Sequence, residues 1–160
     1  MGFLNSLFRR NQSSDVLVKE AQSCIQSGNH KKALSLCDKA INIDEKCYEA
    51  WLLKGAVFSE IQNRHEDGLQ CYDKAIEILG GSVSIPLKGS NIFEAFANAG
   101  AQAAFIDKAR VVAWNNKGLV LEKLKRYDEA LSCYEEILKT GKANELASSQ
   151  KTRLLKLMNQ

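Results

Sequence analysis

Proline is almost missing from this chain. Pro86 stands alone in 160 residues, while Ala, Leu, Lys and Glu are plentiful, and that balance argues for helices. Long apolar runs are missing as well. None approaches the ~18 residues of a membrane-crossing helix, so no span is expected. No sustained apolar stretch follows Arg9 and Arg10, so the start does not read as a secretory signal. Histidine is scarce: His30 and His65 lie 35 positions apart, too far to form a local ligand pair. The cysteines are Cys24, Cys37, Cys47, Cys71 and Cys133, odd in number and without a CxxC spacing. They are expected to be reduced thiols of a cytoplasmic protein, packed as small hydrophobes, with no metal site and no cofactor. The chain also lacks GxSxG, GxxxxGKS/T, HExxH and any Cys–His constellation, so no catalytic residues are assigned.

Charge of one sign is not concentrated anywhere. The net charge is +3; residues 1–13 and 143–160 each carry +2, and the segment between holds 17 basic and 18 acidic side chains. A neutral body with weakly basic ends lacks the basic stripe that nucleic-acid binding requires, so no nucleic-acid partner is expected.

What the chain does have is internal repetition. "WLLKGAVFSEIQNRHEDGLQCYDKAI" (51–76) and "WNNKGLVLEKLKRYDEALSCYEEILK" (114–139) share one spacing of large and small residues. Trp51, Gly55, Phe58, Gly68, Tyr72 and Ala75 fall opposite Trp114, Gly118, Leu121, Ala130, Tyr134 and Ile137. An earlier copy supplies Leu17, Ala21, Cys24, Ala33, Cys37 and Ala40. Each unit reads as two amphipathic helices joined by a polar turn. The Gly and Ala positions are expected where the two helices cross closest, because a larger side chain there would overpack the contact. One such pair cannot bury its own apolar face, so units must stack.

These motifs resemble the tetratricopeptide repeat, over residues 14–81 and 111–142. The first copy departs from the pattern, with Leu17 and Cys24 in place of aromatics, and no unit ends on proline. The second has one extra residue, which is assigned to its turn. The resemblance implies an all-α fold: a short right-handed array of helix-turn-helix units, with about eight helices. The expected organisation is an N-terminal amphipathic arm (1–13) and repeats at about 14–47, 48–81 and 111–142. An insertion fills 82–110 and a capping helix 143–160. Trp51 and Trp114 are 63 residues apart, against 34 between Leu17 and Trp51. The insertion is therefore read as an 11-residue loop (80–90) and an extra unpaired helix over 91–107. That helix would be capped by Ser90 or Asn91, with Phe93, Phe96 and Phe105 mostly buried. The last helix, 144–158, would turn Leu146, Leu154, Leu157 and Met158 inward.

The resemblance further implies a non-catalytic adaptor whose first helices line a concave groove for a partner peptide or amphipathic helix. Its lining would be Lys19 and Gln22, then Leu52, Leu53 and Ala56, then Val112, Asn115, Asn116 and Leu119, with Asn115 and Asn116 holding the partner's backbone. The positions matching the carboxylate clamp of the chaperone-binding members hold Val18, Gln22, Leu53, Val112 and Asn116. Only Asn116 suits that role, so no clamp is expected. Two readings of the groove stand side by side: open to a partner, or covered by the 91–107 helix. His30 and His65 align with Tyr127 and are expected to pack over the turns. The acidic pairs 66–67, 128–129 and 135–136 belong to first helical turns or solvated faces. "MGFLNSLFRR" puts Phe3, Leu4, Leu7 and Phe8 on one face; it is read as an arm on the first unit, with membrane contact as the lesser alternative. Self-assembly through the end helices is the rival to the adaptor reading.

Overall fold

The computed structural model describes residues 13–81, 92–140 and 145–159. Among them are seven helices and no strand: α1 (Ser14–Gln26), α2 (His30–Ile43), α3 (Tyr48–Ala56), α4 (His65–Gly80), α5 (Ile92–Lys123), α6 (Tyr127–Lys139) and α7 (Glu145–Met158). The N-terminal arm, the 82–91 loop and the proposed caps Ser90 and Asn91 lie outside the described residues. The chain divides into two compact units, Met1–Ile78 and Leu79–Gln160.

In the first unit, α1 and α2 form an antiparallel pair. Ser13 caps α1 by accepting the Val16 amide at 3.4 Å, and Asn29 caps α2 by accepting the Lys32 amide at 3.2 Å. Each such cap contributes about 1 kcal/mol by satisfying an otherwise orphaned N–H. The pair closes over a buried cluster that includes Leu17, Ala21, Ala33, Leu36, Cys37 and Ala40. Ala21 and Ala33 are wholly buried, as the close crossing of the helices requires.

The second pair repeats this plan with one change. A five-residue π-helical segment, Val57–Ile61, extends α3. The turns that follow the first helices each contain a residue in the left-handed region: Gly28 (φ 78°), Asn63 (φ 51°) and Lys125 (φ 59°). Each stands five residues before its small residue, Ala33, Gly68 or Ala130, so the turns themselves match in length. The extra residue of the second unit therefore precedes the turn. The Asn29 amide reaches back to the Cys24 carbonyl and the Arg126 amide to that of Leu121, each spanning five residues. The equivalent Arg64 amide reaches Phe58, spanning six. This corrects the assignment of that residue to the turn: the helix absorbs it by widening.

The small positions are held small mainly by aromatic rings. A Cβ on Gly55 would lie 2.9 Å from the Tyr72 ring, and one on Gly118 would lie 2.8 Å from that of Tyr134. A Cβ on Gly68 would meet the Ser59 Oγ at 2.7 Å and the Gly55 carbonyl at 3.1 Å. Ser59 belongs to the π segment, is fully buried, and donates to the Gly55 carbonyl. The first and third units have Ala where the second has Gly because only the second pushes a side chain into that crossing.

In the second unit, α5 is one continuous helix of 32 residues, about 48 Å long, against about 20 Å for the 13-residue α6. The separate helix read over 91–107 is its N-terminal portion, fused to the first helix of the third repeat. Much of α5 therefore extends past the end of its partner, which accounts for Phe105 being 59% exposed rather than buried. The side chains of Phe93 and Phe96 lie outside the described residues. Helix α7 packs on α6 through Ala147 and Leu154, two turns apart. Lys151 bonds Glu135 at 2.8 Å, and Glu122 takes both the Tyr134 hydroxyl, at 2.6 Å, and Arg153. The buried line of α7 is narrower than the sequence suggested. Leu146 and Leu157 remain exposed because only the strip through 147 and 154 reaches α6, and Met158, in line with that strip, is exposed at the helix end. The outer face, with Glu145, Ser148, Ser149, Thr152 and Lys156, is polar.

All five cysteines are buried free thiols. Burial pushes Cys37 up to about 12 and Cys71 up to about 11, so both are protonated at neutral pH. No metal-holding cluster of His, Cys, Asp and Glu occurs among the described residues. Nor is any described helix long and apolar enough to cross a membrane.

Candidate partner-binding surface

Helix α5 presents one line of residues away from its packing face. Ala113, Val120 and Leu121 are buried, whereas Phe105, Lys108 and Val112 are exposed and Asn115, Asn116 and Leu119 are half-exposed. At 100° per residue, positions 105, 108, 112, 115, 116 and 119 fall within one ~100° sector of the helix surface. Four of them, Val112, Asn115, Asn116 and Leu119, are groove residues expected from the sequence. Phe105 and Lys108 were missed, because aromatic composition in that segment was read as core. Their seven- and four-residue offsets from Val112 were the available signal.

The first-unit candidates divide differently. Lys19 and Gln22 are exposed on α1. Leu52 and Ala56 are half-buried on α3. Leu53 packs, with Val18 and Ile25, against the buried cluster of the first pair and is thereby committed to the fold. Val18 and Leu53 both occupy clamp-equivalent positions, so two of those places hold apolar side chains turned toward the core.

A cleft of ≈ 620 Å³ in the first unit is lined by Trp51, Lys54, Phe58, Arg64 and Lys74 among others. Its cations are satisfied internally: Lys54 by Asp38 at 2.6 Å, Arg64 by Asp67 at 2.6 Å and Lys74 by Glu77 at 2.7 Å. Arg64 also lies 4.3 Å from the centre of the Phe58 ring. These contacts pin the π segment and leave little charge for a ligand. His30, His65 and Tyr127 each begin the second helix of a pair and are half-buried, the equivalent placement expected from their alignment. The acidic pairs 66–67 and 128–129 sit in first helical turns, where carboxylates complement the helix dipole.

The tetratricopeptide repeat family model matches residues 14–47 and, separately, residues 111–140. The chain carries tetratricopeptide repeats in these two segments. Its repeats make it a protein–protein interaction module. A solved structure described as the first tetratricopeptide domain of Spaghetti (RPAP3) bound to the HSP90 peptide SRMEEVD superposes with a TM-score of 0.66. Identity is 12%, over 94% of this chain and 96% of that one. The tetratricopeptide domain of Arabidopsis OM64 gives 0.62 at 21% identity, over 89% and 94%. At these identities the likeness is one of fold. Comparison with curated proteins gives no significant match.

Proposed function

We propose that this tetratricopeptide protein is a non-catalytic, cytoplasmic adaptor that docks a segment of another protein on the outward face of α5. The carrying observation is that Phe105 and Val112 stay 59% and 48% exposed on a helix that buries Ala113, Val120 and Leu121 away from them. Binding would bury these side chains, while the Asn115 and Asn116 amides hydrogen-bond polar groups of the partner.

The test is a pull-down from native lysate with the wild type beside Val112→Glu, circular dichroism verifying that both fold. Val112 is exposed, so its replacement costs little stability. A protein retained by the wild type and lost from Val112→Glu supports the docking surface, and identical capture by both refutes it.

A second reading rests on α7, where Leu146 at 59% and Leu157 at 44% exposure flank the packed strip. Self-association through that end helix predicts a concentration-dependent mass in light scattering that Leu157→Glu abolishes.

A further inference from the structure

Helix α7 concentrates the apolar surface that the fold leaves uncovered. Of the nine large apolar side chains exposed among the described residues, four are on this one helix: Leu146, Leu155, Leu157 and Met158. Its packed strip runs through Ala147 and Leu154, and Glu145, Ser149, Thr152 and Lys156 point directly away from that strip. Leu146 and Leu157 share one edge of the outward face, and Leu155 holds the other. An open furrow of ≈ 570 Å³ lies there, lined by Ser148, Ser149, Thr152, Arg153, Lys156 and Leu157. Arg153 is tied back to Glu122 and so serves as its wall.

This face is complementary to itself. Leu146 and Leu157 are 11 residues apart, as are Glu145 and Lys156. Eleven residues make three turns and about 20°, so each pair falls along one line of the helix. A twofold axis crossing α7 at the level of Lys151 sets a second α7 antiparallel to the first. Leu146 then meets the partner's Leu157 and Glu145 meets the partner's Lys156, in step to within about 1.5 Å, and each contact occurs twice. Ser149 and Thr152 lie at the centre, where small side chains let the helices approach closely. Parallel packing would instead set Glu145 against Glu145 and Lys156 against Lys156. Exposed ion pairs contribute little affinity, so the leucines supply the attraction and the charges select the direction.

We infer that α7 is an isologous docking surface for a second copy of this chain, giving a closed antiparallel pair held by Leu146–Leu157 and Glu145–Lys156 contacts. This rests on the end-helix self-association proposed above and adds its geometry. The pair displays two α5 faces, which makes the adaptor bivalent.

The test is light scattering of the full chain over a hundredfold range of concentration, with circular dichroism verifying the fold of each variant. The mass should rise from one chain to two and stop there, because an isologous contact closes on itself. Leu157→Glu should abolish the pair. Glu145→Lys and Lys156→Glu should each weaken it about tenfold, since each reversal sets like charges together twice. Mixing these two variants should restore it, because their heterodimer regains both opposite-charge contacts and no folding defect is cured by mixing. A mass fixed at one chain overturns the inference and the end-helix reading together. Association that Leu157→Glu abolishes but neither charge reversal weakens keeps the end helix as an interface and removes the antiparallel pair. Growth beyond two chains, or a mixture no tighter than its components, overturns it as well.

Discussion

Replacing Gly68 by Ala tests the account of the π segment most sharply. Gly68 lies in the first turns of α4, and two opposing effects meet there. Alanine is the better helix former by about 1 kcal/mol, so an unhindered site would gain stability. The added methyl, however, would sit 2.7 Å from the Ser59 Oγ, 2.9 Å from its Cβ and 3.1 Å from the Gly55 carbonyl. Ser59 is buried and bonded to that carbonyl, so it has nowhere to rotate, and the carbonyl belongs to the helix backbone. Overpacking of this kind costs about 1–3 kcal/mol. The clash outweighs the propensity, leaving a net loss of up to about 2 kcal/mol, or up to roughly 8 °C in melting temperature. The assay is urea denaturation followed by circular dichroism, with Ser59→Gly and the double variant completing a thermodynamic cycle. The cycle should show a coupling of about 1 kcal/mol or more, because removing the serine side chain relieves the two shortest contacts of the methyl. A Gly68→Ala protein more stable than the wild type, with no coupling to Ser59, would refute the placement of the extra residue in the helix.

Other consequences follow from single contacts. Lys125 holds a left-handed backbone at φ 59°, so Lys125→Gly should raise stability by about 0.5–1 kcal/mol in the same denaturation assay. Leu154 is fully buried beneath α7, so Leu154→Ala should cost about 2–5 kcal/mol; hydrogen exchange should show amides of 145–158 losing protection before those of α6. The hydrogen bond from Lys151 holds the Glu135 carboxyl below its ordinary 4.5. The stability from that pair is therefore present above pH 4.5 and lost as pH falls below it, and melting curves of Glu135→Gln should lack this acid-sensitive component. With all five thiols buried, and Cys37 and Cys71 pushed up to about 12 and 11, iodoacetamide at pH 7.5 should label no cysteine until denaturant is added.

The sequence by itself determined the paired amphipathic helices, the small residues at their crossings and the family. Each rests on local spacing, and local spacing is what a linear pattern records. It showed that one unit had a residue too many but could not place it, since a turn and a π-helical widening consume one residue alike. The hydrogen bonds of Arg64, Asn29 and Arg126 decided that question. Pattern also marks which residues are apolar without saying which neighbouring element reaches them. Leu53 and Phe105 were therefore exchanged in role. Leu53, expected on the surface, closes the core of the first pair, while Phe105, expected in the core, stands exposed where α5 outruns α6. Likewise Leu154 is buried and Leu146 is not, although both are leucines of one helix, because α6 meets only a narrow strip of α7. Burial depends on the length and position of the partner element, and only the tertiary structure supplies those.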